Sequence, residues 1–221
     1  MNILRIRCSP RGLESESFRL SQRIIDRLAQ RDRTGKVDVV ELDATTLAYP
    51  DSDYAAALAA PKDPADDVLG RGSLHASTGL IRMLEDASHL VLATPMHNFT
   101  VPSALKTWLD HVVRVRNTFH ITPRGKVGLL ADRPVYVAIS AGGAFSGKDA
   151  RQPDFLTPYQ RHVLATIGLK QVTFISVEGT ARGPELLEAA RARAELALSA
   201  ISFAPQVKTL LPEADTRLLA G

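Results

Sequence analysis

The chain has 221 residues, 45% of them hydrophobic and 23% charged, with a formal net charge of +3. These values are typical of one globular domain, or at most two small ones, with a large core. A single cysteine excludes an internal disulfide, the longest apolar runs are too short to span a membrane, and there is no basic run typical of nucleic-acid binding. Without a signal-peptide pattern, the sequence predicts a cytoplasmic protein.

The first half of the chain alternates strand and helix patterns. Asn2 to Arg7 is predicted as a strand, a helix follows from about Phe18 to Arg31, and Val37 to Leu42 is a second strand. Residues 43–72 contain three prolines and lack strong periodicity, so we predict an irregular excursion that carries a short helix. Such excursions often cover an active site.

The same alternation continues in the second half. A helix through residues 81–84 leads to a third strand, which is followed by a helix, a hairpin insertion, and then strand, helix, strand and helix. The predicted ranges are strand 89–93, helix from Pro102 to about Val113, hairpin 118–130, strand 133–139, helix 155–167, strand 171–177 and helix 184–203.

Five strands that alternate with helices predict an α/β fold with a parallel sheet and helices on both faces. Right-handed crossovers make such a sheet doubly wound, and two strand orders are common: the dinucleotide-binding order and the flavodoxin-like order. We expect one domain over residues 1–204 and a C-terminal tail over 205–221. The loops that follow the strands must distinguish the two orders.

The loop after the first strand is rich in hydroxyl groups. It contains Ser9, Ser15 and Ser17 and leads into a helix N-terminus, but it lacks the G-x-G-x-x-G fingerprint of dinucleotide-binding folds. Free N–H groups and the helix dipole attract anions, so this loop suits a phosphate monoester. The alternative is that Ser15 or Ser17 only caps the helix.

Three other phosphate-site interpretations fit poorly. A tyrosine-phosphatase signature needs an arginine six positions after Cys8, where Glu14 stands instead. A phospho-receiver needs an acidic pair at the end of the first strand, where Arg7 and Cys8 stand. The segment 142–148 matches the core of a Walker A loop, but Asp149 replaces its Ser or Thr and Pro153 follows too soon for a helix.

The third strand ends in Thr94-Pro95-Met96-His97-Asn98-Phe99. Proline ends a strand because it has no N–H group, and the residues after it lie at the carboxyl edge where open α/β sheets bind ligands. Met96 and Phe99 offer apolar surface and Asn98 offers a donor and an acceptor, which suits a flat aromatic ligand. Ser140-Ala141-Gly142-Gly143 forms a turn after the fourth strand, where glycines allow close approach of the backbone.

No side-chain nucleophile or metal site is evident. The six histidines have no metal-ligand spacing, and only His97 lies in a candidate ligand loop. We expect His111 and His162, which fall in helices, at the surface or in an interface. The absence of a G-x-S-x-G elbow or another activated nucleophile favours a bound cofactor that supplies the chemistry.

Together the three loops resemble those of the FMN-dependent NADH azoreductase family, which is related to flavodoxin-like quinone reductases. The resemblance extends from Asn2 to about Phe203 and implies a flavodoxin-like sheet of order 2-1-3-4-5. It implies bound FMN, with NADH or NADPH as electron donor in a ping-pong reaction and quinones, azo compounds or nitroaromatics as acceptors. It implies contacts to the FMN phosphate from Ser9, Ser15, Glu16 and Ser17, and contacts to the flavin ring from Met96, His97, Asn98, Phe99, Ser140, Ala141, Gly142 and Gly143.

Two positions depart from the family pattern. His97 stands where the family usually has Tyr, and Ala141 stands where it often has Arg. His97 is a candidate proton donor, since imidazole ordinarily titrates near neutrality. The family also implies a homodimer with the flavin at the subunit interface, and the excursion 43–72 and the hairpin 118–130 are candidates for covering it.

Two other functions stay open at this point. A flavodoxin-type electron carrier would hold FMN without oxidising NAD(P)H itself. Such carriers tend to be strongly acidic, whereas this chain has a sequence pI of about 9.2. The other alternative is a flavin-free relative that works as a binding or regulatory protein.

Overall fold

The computed structural model describes residues 1–32, 35–62 and 71–201 of the chain. The strands are β1 (Asn2–Arg7), β2 (Asp38–Asp43), β3 (His89–Pro95), β4 (Phe119–Thr122), β5 (Gly125–Gly128), β6 (Val135–Ala141) and β7 (Val172–Glu178). The α-helices are α1 (Glu16–Arg31), α2 (Ser52–Ala59), α3 (Gly72–Asp86), α4 (Ser103–Val112), α5 (Leu156–Thr166) and α6 (Pro184–Ala200). The predicted tail 205–221 and part of the excursion, residues 63–70, lie outside the described residues.

Five strands form one parallel sheet in the order β2-β1-β3-β6-β7. Counted along the chain within this sheet, the order is 2-1-3-4-5, which confirms the flavodoxin-like order rather than the dinucleotide-binding one. β4 and β5 form a separate antiparallel pair at the position of the predicted hairpin.

The apolar run of β3 lies at the centre of the sheet, and every residue from His89 to Pro95 is buried. Because alternate residues of a strand face opposite sides, the side chains buried against the sheet fall into two clusters. Leu4 and Leu92 belong to a cluster with side chains from α3, α4 and α5. Ile3 and Val91 belong to a second cluster with side chains from α1 and α6.

The predicted end of the third strand is two residues too early. Thr94 and Pro95 continue the pairing with β6, opposite Ile139 and Ser140, and Pro95 is the last residue of β3. A proline fits this position because no further ladder hydrogen bond is required from its nitrogen.

The hairpin packs against the end of α5 at a contact between two glycines. A Cβ atom added to Gly128 would lie 2.2 Å from the backbone nitrogen of Gly168, and Leu130 N donates to Ile167 O over 3.1 Å. Gly168 has a φ of +108°, a conformation that L side chains rarely adopt. This close backbone approach fixes the hairpin against the residues that follow α5.

The excursion after β2 carries the short helix α2. Asp51 caps this helix through a 2.8 Å hydrogen bond from Tyr54 N, and its other carboxylate oxygen accepts from Ser73 N, at the start of α3, over 3.0 Å. One carboxylate therefore joins the two ends of the described excursion. No helix in the described residues is long and apolar enough to cross a membrane.

Candidate functional site

The loops that follow β1, β3 and β6 meet at the carboxyl edge of the sheet. Cys8 N donates to Ala93 O over 2.9 Å, and Met96 N donates to Ser140 O over 2.8 Å. These two bonds connect the starts of the three loops, because β1, β3 and β6 are neighbours in the sheet. The three candidate segments therefore belong to one site.

The N-terminus of α1 is organised by serines. Ser15 Oγ accepts from Phe18 N over 3.2 Å, donates to Gly12 O over 3.0 Å and lies 3.3 Å from Ser17 Oγ. Ser15 is thus the cap of α1, a role expected of Ser15 or Ser17 whether or not the loop also binds a phosphate. Ser9 Oγ accepts from Arg11 N over 3.2 Å in the same loop.

Two backbone donors at this helix end have no acceptor among the described residues. They are the N–H groups of Glu16 and Ser17, which start the 16-residue helix α1. The first N–H groups of a helix lack intrahelical partners, and the helix dipole adds a partial positive charge there. This position suits an anion such as a phosphate.

The Glu16 side chain is engaged elsewhere. Arg191 Nε donates to Glu16 Oε2 over 2.9 Å, and this hydrogen bond is the main reason why the pKa of Glu16 lies below its ordinary value. The positive charges of Arg191, Arg19 and Arg11 also lower it. A contact from Glu16 to an anion would therefore come from its backbone N–H, not from its carboxylate.

The residues after Met96 form a tight turn. His97 and Thr100 exchange two backbone hydrogen bonds of 3.0 Å each, and between them Asn98 and Phe99 have φ values of +48° and +70°. Positive φ at both central positions is the type I′ pattern, which Asn tolerates and a bulky residue such as Phe rarely adopts. Such backbone strain clusters at ligand sites.

This turn presents an aromatic ring and two unused donors. Phe99 is 45% exposed, and the N–H groups of Asn98 and Phe99 make no hydrogen bond to a described residue. Met96 differs from the sequence-based interpretation: its side chain is buried in the core cluster and offers little apolar surface to a ligand. Its position directly after a buried strand explains that burial.

The turn after β6 is bound to the loop after β7. Ala141 is buried and its carbonyl oxygen accepts from Thr180 N over 3.0 Å. The N–H groups of Gly142, Gly143 and Ala144 have no acceptor among the described residues. These three groups are candidate donors to a ligand, whereas the side chain of Ala141 faces the core.

Sequence reasoning missed Glu178, the last residue of β7. Its carboxylate accepts from Phe145 N over 2.7 Å, Ser146 N over 3.1 Å and Ser146 Oγ over 2.6 Å. Burial raises the pKa of Glu178, but these hydrogen bonds together lower it by more. The pKa of Glu178 therefore lies below its ordinary value. An acidic residue at the carboxyl end of a strand was the available signal.

Two more residues join this site from the segment before α5. Gln152 Nε2 donates to Met96 Sδ over 3.1 Å, and Phe155 N donates to Phe99 O over 3.0 Å. Phe155 is 59% exposed, so it adds a second accessible aromatic ring next to Phe99. No local pattern in the sequence points to either residue.

His97 borders a cleft of about 330 Å³ on the α4 side of the site. Its walls combine apolar and hydroxyl side chains from the loops after β1, β2 and β3 and from α4. They are Cys8, Pro10, Ala44, Thr45, Leu47, Tyr49, His97, Pro102, Ser103, Ala104 and Thr107. A cleft of this size and lining can accept a small aromatic molecule.

Two other titratable side chains are structural. Burial and the nearby Asp43 raise the pKa of the Cys8 thiol far above its ordinary value, so it is not an activated nucleophile. His111 is buried and its Nε2 lies 2.9 Å from Ala48 O, so its predicted surface position is wrong; His162 is exposed. The helix that carries His111 packs against the excursion, which local periodicity does not reveal.

The arrangement fits a flat ring with a phosphate tail. The start of α1 offers hydroxyls and two N–H groups, and the turns after β3 and β6 offer exposed aromatic surface and five more N–H groups, all seven without an acceptor among the described residues. FMN has this chemistry: a phosphate monoester at one end and a planar ring with several acceptors at the other.

Comparisons with known proteins agree with this assignment. A family model for the flavodoxin-like fold matches residues 1–201. FMN-dependent NADH:quinone oxidoreductase 4 of Pseudomonas fluorescens is 45% identical over 95% of this chain and 98% of its own length. FMN-dependent NADH:quinone oxidoreductase 5 of Burkholderia lata is 42% identical over 90% of this chain and 95% of its own length.

Among solved structures, an azoreductase from Bacillus anthracis has the same fold, with a TM-score of 0.74 and 21% identity, over 91% of this chain and 100% of that one. An FMN-dependent NADH-azoreductase of the same species, solved in complex with FMN, gives a TM-score of 0.73 at 22% identity, over 90% of this chain and 97% of that one. The chain therefore belongs to the flavodoxin-like family, and within it to the FMN-dependent NADH:quinone oxidoreductases, as the resemblance of its three loops predicted.

Proposed function

We propose that this protein is an FMN-dependent NAD(P)H oxidoreductase that reduces quinones and azo compounds. The named relatives are FMN-dependent NADH:quinone oxidoreductases, and they match nearly the full chain. The observation that carries the assignment is the shared edge of the sheet, where the loop that leads to the serine-capped helix start and the strained turn at Asn98 and Phe99 both follow neighbouring strands. The flavodoxin-type carrier is not favoured, because the relatives are named as enzymes.

We assign the phosphate of FMN to the start of α1. Ser9, Ser15 and Ser17 supply hydroxyls there, and Glu16 and Ser17 supply backbone N–H groups that bond to no described residue. Hydrogen bonds to an ionised phosphate are stronger than neutral ones, so this end contributes much of the affinity.

We assign the flavin ring to the turns after β3 and β6. Phe99 packs beside it, and the backbone N–H groups of Asn98, Phe99, Gly142 and Gly143 donate to its polar edge. The assignment is completed by Met96, His97, Ser140 and Ala141. These residues contribute mainly through the backbone, except that the exposed imidazole of His97 is also available. When bound, FMN supplies two-electron transfer from NAD(P)H to the acceptor, in ping-pong order.

The finer features follow from the same proposal. We infer a doubly wound sheet. Two core clusters support this inference, because one contains side chains of α3, α4 and α5 and the other contains side chains of α1 and α6. We infer one domain over residues 1–204, nitroaromatics as further acceptors, and a cytoplasmic location. We also infer a homodimer with the flavin at its interface, which the exposed side chains of Tyr49, Phe99, Ile121 and Phe155 support.

Flavin content and NADH reactivity test the proposal. We expect the purified protein, or the apoprotein after addition of FMN, to absorb at about 450 nm, as oxidised flavin does. In stopped-flow experiments NADH should bleach this band, and a quinone should restore it. Binding of FMN without reduction by NADH or NADPH would support the electron-carrier function instead. A protein that takes up no FMN would contradict the whole assignment.

Riboflavin provides the matched control for the phosphate assignment. It has the same ring but no phosphate, so it should bind at least about tenfold more weakly than FMN if the start of α1 holds the phosphate. Equal affinities would contradict that part of the proposal.

A further inference from the structure

The segment between β6 and α5 folds back on itself. Glu178 accepts hydrogen bonds from Phe145 N and Ser146 N at its beginning, and Arg151 N donates to Ala144 O over 2.9 Å at its end. Asp154 then accepts 2.9 Å hydrogen bonds from Leu156 N and Thr157 N, the first two N–H groups of α5. Gln152 is therefore held on a closed loop between two anchored ends.

The Gln152 side chain reaches from this loop into the candidate ring site. A Cβ atom added to Gly143 would lie 2.4 Å from Gln152 Oε1 and 3.1 Å from Gln152 Cδ. The other end of the amide donates to Met96 Sδ over 3.1 Å. Gln152 thus bridges the turn after β6 and the loop after β3, at the place assigned to the ring.

The lack of a side chain at Gly143 lets the Gln152 amide lie close to the backbone of this turn. Gly143 has no positive φ, so backbone conformation does not require a glycine there. In the position that Gln152 occupies, a Cβ atom at residue 143 would collide with Oε1, so the flexible side chain of Gln152 would have to move away. The close approach expected for a ligand at this turn is made by a side chain of the same chain.

The Gln152 amide has weak partners in its present position. A thioether sulfur is a weak hydrogen-bond acceptor. Gln152 Oε1 accepts no hydrogen bond from any described residue, and the side chain is half-buried. An amide that is anchored at its backbone but weakly bonded at its tip can exchange partners at little cost.

We propose that Gln152 contacts the flavin: its amide exchanges the bond to Met96 for a hydrogen bond to the polar edge of the ring. This inference rests on the proposed function and adds a residue outside the three loops that carry the resemblance. The amide N–H group would donate to a ring whose electron density increases on reduction. It therefore stabilises the reduced form more than the oxidised form and raises the midpoint potential.

Two substitutions of Gln152 test the inference on apoprotein reloaded with FMN. Gln152→Ala should weaken FMN binding by about tenfold, the equivalent of one hydrogen bond of about 1.4 kcal/mol, and shift the midpoint potential to a more negative value. Gln152→Glu keeps the shape but replaces the donor with a negative charge, so it should shift the potential further in the same direction and change how the potential varies with pH. The readouts are FMN fluorescence quenching, the visible spectrum and dye-equilibrated redox titration.

Gln30→Ala is the matched control, since Gln30 is exposed near the end of α1 and far from the site. It should leave FMN affinity and potential unchanged. The urea midpoint of the Gln152→Ala apoprotein should also equal that of the original apoprotein, because a weak bond to a thioether is all that the amide would lose among the described residues.

Three outcomes separate the possible failures. If the original protein takes up no FMN, the proposed function fails and this inference fails with it. If it binds FMN but both Gln152 variants keep the same affinity, spectrum and potential, only the inference is overturned. A lower urea midpoint with unchanged flavin properties would assign Gln152 a structural role and also overturn the inference.

Discussion

Arg191, in the middle of α6, donates to both carboxylate oxygens of Glu16, the first residue of α1. This ion pair ties the last helix to the helix whose start faces the proposed phosphate site. It also directs the Glu16 carboxylate toward Arg191, which neutralises a negative charge beside an anion site.

We expect Glu16→Gln to lower the free energy of unfolding of the apoprotein by roughly 1 kcal/mol at pH 7, as for a well-formed surface ion pair. The pKa of Glu16 in the folded state lies below the ordinary value of 4.5. Its contribution is therefore complete above that value and is lost as the pH falls through the folded-state pKa. Urea unfolding at pH 7 and at lower pH should show the difference between the two proteins shrinking with acidity.

Glu188→Gln is the control for this pair. Glu188 contacts the same arginine but its side chain is 67% exposed, so its replacement should change stability very little. A Glu16→Gln protein with a stability deficit that persists unchanged at low pH would show that the ion pair is not the cause.

His97→Tyr should keep FMN bound and change the choice of acceptor. The imidazole is exposed and borders the cleft beside α4, so a larger phenol there changes pocket shape. We expect the ratio of quinone to azo turnover to change by about tenfold, a normal effect of a pocket-lining group. Steady-state rates with both acceptor classes measure it, with His75→Tyr, an exposed residue of α3, as control.

The pH dependence of the same variant tests the proton-donor role. Imidazole ordinarily titrates between about pH 5 and 8, whereas a phenol does not. Loss of a near-neutral limb in the pH–rate profile would support donation by His97. Identical profiles for quinone turnover in both proteins would end that hypothesis.

Gly128→Ala should displace the hairpin from the end of α5. The added Cβ would lie 2.2 Å from Gly168 N, and backbone cannot move away as a flexible side chain can. We expect a loss of about 1–3 kcal/mol in the free energy of unfolding, the usual cost of overpacking. Gly125→Ala is a useful comparison, since no atom lies within 4 Å of its added Cβ, although its φ of +112° brings strain. Equal urea midpoints for Gly128→Ala and the original protein would refute this contact.

Arg116→Ala should loosen α2. Arg116 has a φ of +68°, and its guanidinium donates to Ala60 O over 3.0 Å and to Ala57 O over 2.9 Å, at the C-terminal end of that helix. A helix of eight residues is marginal without such support, and a cation at its C-terminus is favourable. Hydrogen exchange of the α2 amides should accelerate by about tenfold, for a loss of about 1.4 kcal/mol, while the β3 amides stay unchanged.

The exposed Arg124, in the turn of the hairpin, is the control for this substitution. Arg124→Ala should not alter exchange in α2. Faster exchange in both proteins would mean that the loss of one positive charge lowers the stability of α2 wherever it occurs. The two bonds from Arg116 to the helix end would then not be the cause.

The sequence predicted well those features that depend on near neighbours. Alternating apolar runs and helical faces identify the five sheet strands, and Ser15 is recognisable as a cap because capping is a contact over three residues. His111 shows the limit. Its burial results from the excursion that packs over α4, so its own helical periodicity does not reveal it.

The candidate site also combines features that are local in the sequence with features that depend on tertiary packing. Serines before a helix and the segment 94–99 after a buried strand are local patterns, so the amino-acid sequence by itself determined where a phosphate and a flat ring are expected. Only the tertiary structure decided that Glu178 anchors the turn after β6, that Gln152 lies over Gly143, and that Arg191 takes the carboxylate of Glu16. These contacts join residues 9 to 175 positions apart in the chain, and such pairs meet only after the sheet has set the positions of its loops.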